Sequence, residues 1–177
     1  MDAESFDGVA CAVRGNVLVS LWQAPARLAR VRWLRQKSDD VSRRHPEGFM
    51  VLQLILASST PPDSESRAEV TAMMKQWSTS LRLLVTVPLG DALWTTLVRT
   101  IMRAALIMSG TSGRHIVAGN EREGIAQVLS RASSHTPQQA ALVAAINALY
   151  AGAPAAPPPG GCGAQSVENV VTHSSSP

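Results

Sequence analysis

A chain of 177 residues and 18.8 kDa suits one domain of about 150 residues with a tail. Hydrophobic residues make up 45% and charged residues 16%, which excludes a chain that stays unfolded throughout. Sixteen basic against thirteen acidic residues leave +3, too little to call for a nucleic-acid partner, and two cysteines build neither a zinc cluster nor a disulfide framework.

The N-terminus, Met1 to Asp7, is acidic and has no basic segment leading into an apolar run, so no secretory leader is expected. Val9–Val13 and Val17–Trp22 predict a β-hairpin around Arg14-Gly15-Asn16, with Gly15 and Asn16 supplying the positive φ angles of the turn. A first helix is predicted from Pro25 to Arg44 and stopped by His45-Pro46-Glu47-Gly48. Phe49–Leu56 is apolar except for Gln53, the pattern of a central parallel strand covered on both faces. Ser58-Ser59-Thr60-Pro61-Pro62 then leads into a second helix, on which Val70, Met73, Met74, Trp77 and Leu81 form one apolar stripe.

Leu83–Val87 predicts another buried strand, and Asp91 caps a third helix that runs to Ser109. Leu93, Leu97, Val98, Ile101, Ala105 and Met108 share one face of it, and Arg99 and Arg103 the other. It is too short to span a bilayer. His115–Ala118 reads as a short strand, Asn120-x-x-Glu123 as a capping box, and Thr136-Pro137-Gln138-Gln139 as the start of a fifth helix with Leu142, Ile146 and Leu149 facing inward. The expected fold is therefore α/β, a mixed β-sheet opened by a β-hairpin and covered by four to five α-helices.

Residues 1–150 form the predicted domain. Residues 151–177 are rich in Pro, Gly, Ala and Ser, with Glu168 as their one formal charge, and read as a disordered tail. Ser166 to His173 is a candidate docking motif within it. Cys11 reads as a small buried hydrophobe and Cys162 as a tail thiol, which suits a reducing cytoplasm.

No nucleotide-binding glycine motif follows a strand, and Gly110-Thr111-Ser112-Gly113 reads as a loop. His45, His115, His135 and His173 are scattered without ligand spacing, so neither a metal nor any other cofactor is expected. No nucleophile has an evident base, and an enzyme is the least favoured class. The first helix sets seven basic residues, among them Arg27, Arg30 and Arg35, against Asp39 and Asp40. Arg27, Arg30 and Arg35 are candidate partner contacts, and a plain solvated face is the simpler reading. Ser58, Ser59, Thr60, Ser64 and Ser66 cluster before the second helix, where a phosphate would be stabilised and where Ser64 or Asp63 serves equally as a cap. Met73, Met74, Met102 and Met108 are read either as core filler or as the lining of an adaptable pocket.

The element order, with Gly15-Asn16-Val17-Leu18-Val19-Ser20-Leu21-Trp22 leading into an Arg-rich helix and then Arg44-His45-Pro46-Glu47-Gly48, resembles the STAS domain of bacterial anti-sigma-factor antagonists over roughly residues 8–132. The resemblance implies a cytoplasmic regulatory module without enzymatic activity. Its partner would be a protein such as a kinase-like anti-sigma factor, and Ser58 or Ser59 would accept a phosphate. The partner would dock on the second helix and the loop before it, where Ser64 lies. The family's Asp before these serines and Gly after them are absent here, and Pro61 and Pro62 intervene. A small-molecule or lipid-binding module of the same fold is the alternative.

Overall fold

The computed structural model describes residues 3–60, 62–109 and 112–152. The tail beyond Gly152, with Cys162 and the segment from Ser166 to His173, lies outside the described residues, as do the side chains of Arg103, Ala105 and Met108. The chain runs β1 (Glu4–Phe6), β2 (Val9–Arg14), β3 (Val17–Trp22), α1 (Leu28–Arg44), β4 (Phe49–Leu56), α2 (Ser64–Gln76), β5 (Leu81–Leu89), α3 (Ala92–Ser109), a 3-10 turn (Ser112–Arg114), β6 (His115–Val117), α4 (Glu121–Leu129) and α5 (Gln139–Ala151). The six strands lie in the sheet in chain order. β1, β2 and β3 pair antiparallel, whereas β3 through β6 pair parallel. Among the described residues this is the expected α/β class, a mixed sheet covered by five helices.

Strand alternation sorts the core into two layers. Val17, Val19 and Leu21 of β3, Met50, Leu52 and Leu54 of β4, and Leu83, Val85 and Val87 of β5 face α4 and α5. Ile125 and Val128 of α4 and Leu142, Ile146 and Leu149 of α5 close this side. The opposite face carries α1 and α2, with Val31, Leu34 and Val41 packed beside Met73, Met74 and Trp77. Asn120 caps α4 by accepting from the Glu123 N–H at 2.9 Å, and the Glu123 carboxylate reaches back to the Gly119 N–H at 2.7 Å. The capping pair thus forms, with its return bond one residue earlier than a capping box places it.

Several expectations need correction. An edge strand, β1, precedes the expected hairpin, because Asp7 (φ +46°) and Gly8 (φ +82°) make the left-handed two-residue turn that Asp-Gly favours. In the second hairpin only Gly15 takes a positive φ, +54°; Asn16 is instead fully buried and hydrogen-bonded to distant loops. α1 starts at Leu28 rather than Pro25, since Arg27 is extended (ψ 155°) and the Pro25 carbonyl is taken by the Arg30 guanidinium at 2.6 Å. Leu81 belongs to β5, opposite Phe49, and not to the α2 stripe, which ends at Trp77. On α3, Leu93 and Leu97 are 83% and 44% exposed while Val98 is buried, so the predicted single face is split. No helix among the described residues is long and apolar enough to cross a membrane.

Candidate functional site

The face beneath α1, α2 and α3 differs from its counterpart in one residue per strand. Cys11, Ser20, Gln53 and Thr86 stand directly opposite one another across β2, β3, β4 and β5. Gln53 Nε2 donates to Thr86 Oγ1 at 2.6 Å, and Thr86 Oγ1 lies 2.8 Å from His115 Nε2 on β6. Burial pushes the His115 imidazole down to about 4, so it is neutral at pH 7. Its Nδ1 is buried with no partner among the described residues, as is Ser20 Oγ. Burial, and next the Glu4 carboxylate, push the Cys11 thiol up to about 12, which keeps it an unreactive thiol.

Above this polar line the helices leave a cavity of about 320 Å³. Its floor is Trp22, Val51, Gln53, Ile55 and Leu84. Val31 and Leu34 of α1, Val70, Met73 and Met74 of α2, and Val98, Ile101 and Met102 of α3 form its walls. Three of the four methionines singled out in the sequence therefore line it, and Met108 falls outside the described side chains. Trp77 closes one end. Its ring meets Phe49 edge-on at 5.5 Å, and its indole N–H donates to Asp39 at 2.7 Å. The other end is built by Ser59, Thr60 and Pro62 of the β4–α2 loop, with Arg67 of α2 and Trp94 of α3. Trp94 has a buried indole N–H with no partner among the described residues, an arrangement that costs about 1–3 kcal/mol unless a further acceptor such as a ligand or water takes it up.

The two serines of the loop have different surroundings. Ser58 is exposed and donates to the Gln23 carbonyl at 2.8 Å, whereas Ser59 is 3% exposed against the cavity. Ser64 is exposed as the first residue of α2, and Asp63 is the cap, accepting from the Ser66 N–H at 2.8 Å. That bond holds the Asp63 carboxyl below its ordinary range.

The basic residues of α1 are largely engaged within the domain. Arg30 is buried and pairs with Asp7 at 2.8 Å, which removes it from any partner-facing surface. Arg35 bonds to Glu69 of α2 at 2.5 Å and also to Gln76, so it joins two helices. Lys37 pairs with Glu4, and Arg43 with Asp40. Arg27 alone of the three candidate contacts is exposed with no ion pair among the described residues. The histidines correct a different expectation: His45 and His135, far apart in sequence, meet at Glu47.

No family model matches the chain, and no curated protein and no solved structure matches it either.

Proposed function

We propose that this chain is a non-enzymatic binding module that holds one small apolar molecule, bearing a single hydrogen-bond acceptor, between α1, α2, α3 and the sheet. The cavity carries this reading. Its volume of about 320 Å³ sits at the small end of the range for ligand sites, roughly 300–1,000 Å³. Apolar walls with a few polar groups are the composition such sites share. The indole N–H of Trp94 and the cation of Arg67, the one charged residue among the described lining, suit a carboxylate or carbonyl head at the loop end. Among the described lining residues no nucleophile stands beside a base, which favours binding over turnover.

Dodecanoate is a suitable probe because Trp22, Trp77 and Trp94 all line the cavity and report on it by fluorescence. Saturable 1:1 quenching is expected. Trp94→Phe should weaken binding by about tenfold or more, the value of one hydrogen bond to a charged group. Native mass spectrometry of the purified chain should show a retained molecule of lipid or aromatic-acid mass. A protein that is empty, binds no dodecanoate and binds no aromatic acid would overturn the reading.

A second reading, the protein-interaction module implied by the STAS resemblance, draws support from the same end of the molecule. Exposed Ser58 follows Ala57, whose N–H bonds the Leu89 carbonyl at 3.0 Å just before α3, where Leu93 and Leu97 are exposed. A phosphate on Ser58 would add about −1.5 to −2 charge to that surface. Ser58→Glu should then weaken capture of a kinase-like anti-sigma factor, and unchanged affinity would exclude the switch.

A further inference from the structure

A second cluster lies at the opposite ends of the parallel strands, where β4 begins. Its members come from two loops: His45 and Glu47 from the turn between α1 and β4, and His135 from the loop between α4 and α5. We propose that His45, Glu47 and His135 form a binding site for one divalent late first-row cation, zinc in particular, with water completing the coordination. One ligand atom from each residue falls within 4.8 Å of the others. Glu47 Oε1 is 3.0 Å from His45 Nδ1 and 3.8 Å from His135 Nε2. Ligands bound tetrahedrally at about 2.0–2.1 Å stand about 3.4 Å apart, so the two observed spacings bracket the required one. The imidazole planes are tilted by 55° with centroids 5.7 Å apart, which leaves both rings able to aim at a common point.

The donor set selects the ion. Two imidazoles and one carboxylate suit zinc and its neighbours in the transition series, whereas magnesium and calcium prefer oxygen ligands throughout. Three protein ligands leave a fourth position open to solvent, and the side chains of His135 and Glu47 are 56% and 33% exposed, so an ion has a direct entry path.

The framework that brings these loops together is internal and independent of the ligands. Asn16, fully buried, donates from Nδ2 to the Gly48 carbonyl at 3.3 Å and to Ser133 at 3.4 Å, and accepts from Thr136 at 3.2 Å. Its backbone N–H bonds the His135 carbonyl at 3.2 Å. One buried side chain thereby ties the turn carrying His45 and Glu47 to the loop carrying His135. Gly15 beside it has no room for a side chain: a Cβ there would stand 2.0 Å from the His135 carbonyl oxygen. Within the turn, the Gly48 N–H bonds the His45 carbonyl at 2.9 Å, which keeps His45 and Glu47 side by side. A bound ion would cross-link α1, on one face of the sheet, to the loop leading into α5 on the other.

The test is calorimetric titration of the full chain with zinc chloride alone, alongside thermal unfolding with and without the metal. Saturable 1:1 binding is expected, with an unfolding midpoint about 5–10 °C higher at a hundredfold excess over Kd. His135→Ala and Glu47→Gln should each weaken binding at least tenfold and cut the thermal shift at the same zinc concentration to about half or less. Both positions are solvent-accessible, so their far-UV spectra and metal-free midpoints should match the parent. His45→Ala tests the third ligand, and Cys162→Ser with His173→Ala tests the tail as a rival. No saturable binding below about 1 mM, binding unchanged in all three ligand variants, or binding lost only in the tail variant would each overturn the proposal.

Discussion

The two faces of the sheet are built from the same strands and do different things. Toward α4 and α5 the strands present Val17, Val19, Leu21, Met50, Leu52, Leu54, Leu83, Val85 and Val87, and the helices answer with Leu, Ile, Val and Ala. Toward α1, α2 and α3 the same strands place Ser20, Gln53 and Thr86 in register, and the helices above them leave a cavity. One face is filled to hold the fold together. The other gives up packing to keep an apolar space whose floor includes one member of the polar line, Gln53. A domain of this size tolerates the second face because the first is complete.

The largest expected contrast comes from truncating one side chain on each face. Leu149 is fully buried between α5 and the sheet, and Leu149→Ala should cost about 3–5 kcal/mol, since the gap it leaves has no slack to collapse into. Met74→Ala, on the cavity wall, should cost about 2 kcal/mol, the low end for its class, because part of its surface already faces empty space. Urea unfolding of both variants measures the difference. Equal costs would mean that the space under α2 is filled by packed side chains, and the contrast between the faces would vanish.

Acid sharpens the same contrast. His115, on the polar face, titrates near 4 in the folded state against an ordinary value of 6.5, because burial disfavours its cation. The unfolded chain therefore binds the proton more readily. Stability is complete above pH 6.5 and falls as pH drops toward 4. The loss from this one group is on the order of 3 kcal/mol at pH 4, at about 1.4 kcal/mol for each pH unit that separates the folded and unfolded titrations. His115→Gln should flatten the pH dependence of the urea midpoint between pH 4 and 6.5. An undiminished slope in that variant would place the acid sensitivity elsewhere.

The filled face was legible in the sequence and the polar one was not, for a physical reason. Apolar runs such as Phe49–Leu56 announce a strand covered on both sides, and Leu142, Ile146 and Leu149 announce the helix that covers it. Gln53 stood out as an interruption, but its partners Ser20 and Thr86 are set by strand register, which no local pattern contains. The readable signal was a polar residue at the same parity in three successive strands. β1 was missed because Glu4-Ser5-Phe6 is exposed and shows no alternation, although Asp7-Gly8 marked its turn. Helix α1 looked like a basic patch because Glu4, Asp7 and Glu69, which neutralise much of it, lie on other elements. His45 and His135 seemed unrelated for the same reason: Asn16, between them in space and not in sequence, joins their loops.

The smallest expected effect tests whether the polar line serves the fold or the cavity. Thr86 Oγ1 is bonded to both Gln53 and His115, and Thr86→Val, nearly isosteric, leaves two buried groups short of a partner. It should cost about 1–3 kcal/mol. Ser20 Oγ, at the same level one strand beyond Gln53, is buried with no partner among the described residues. Removing an unpaired hydroxyl relieves its desolvation, so Ser20→Ala should be neutral or stabilising by up to about 1 kcal/mol. Thermal unfolding of the two variants, each with and without dodecanoate, reads this directly. If Ser20→Ala proves destabilising, the hydroxyl has a partner in solution that the protein itself does not supply, and bound water or a ligand reaching the sheet would be the candidates. A destabilisation that appears only when dodecanoate is present would assign Ser20 to the ligand, and the polar line would then belong to the binding site rather than to the core.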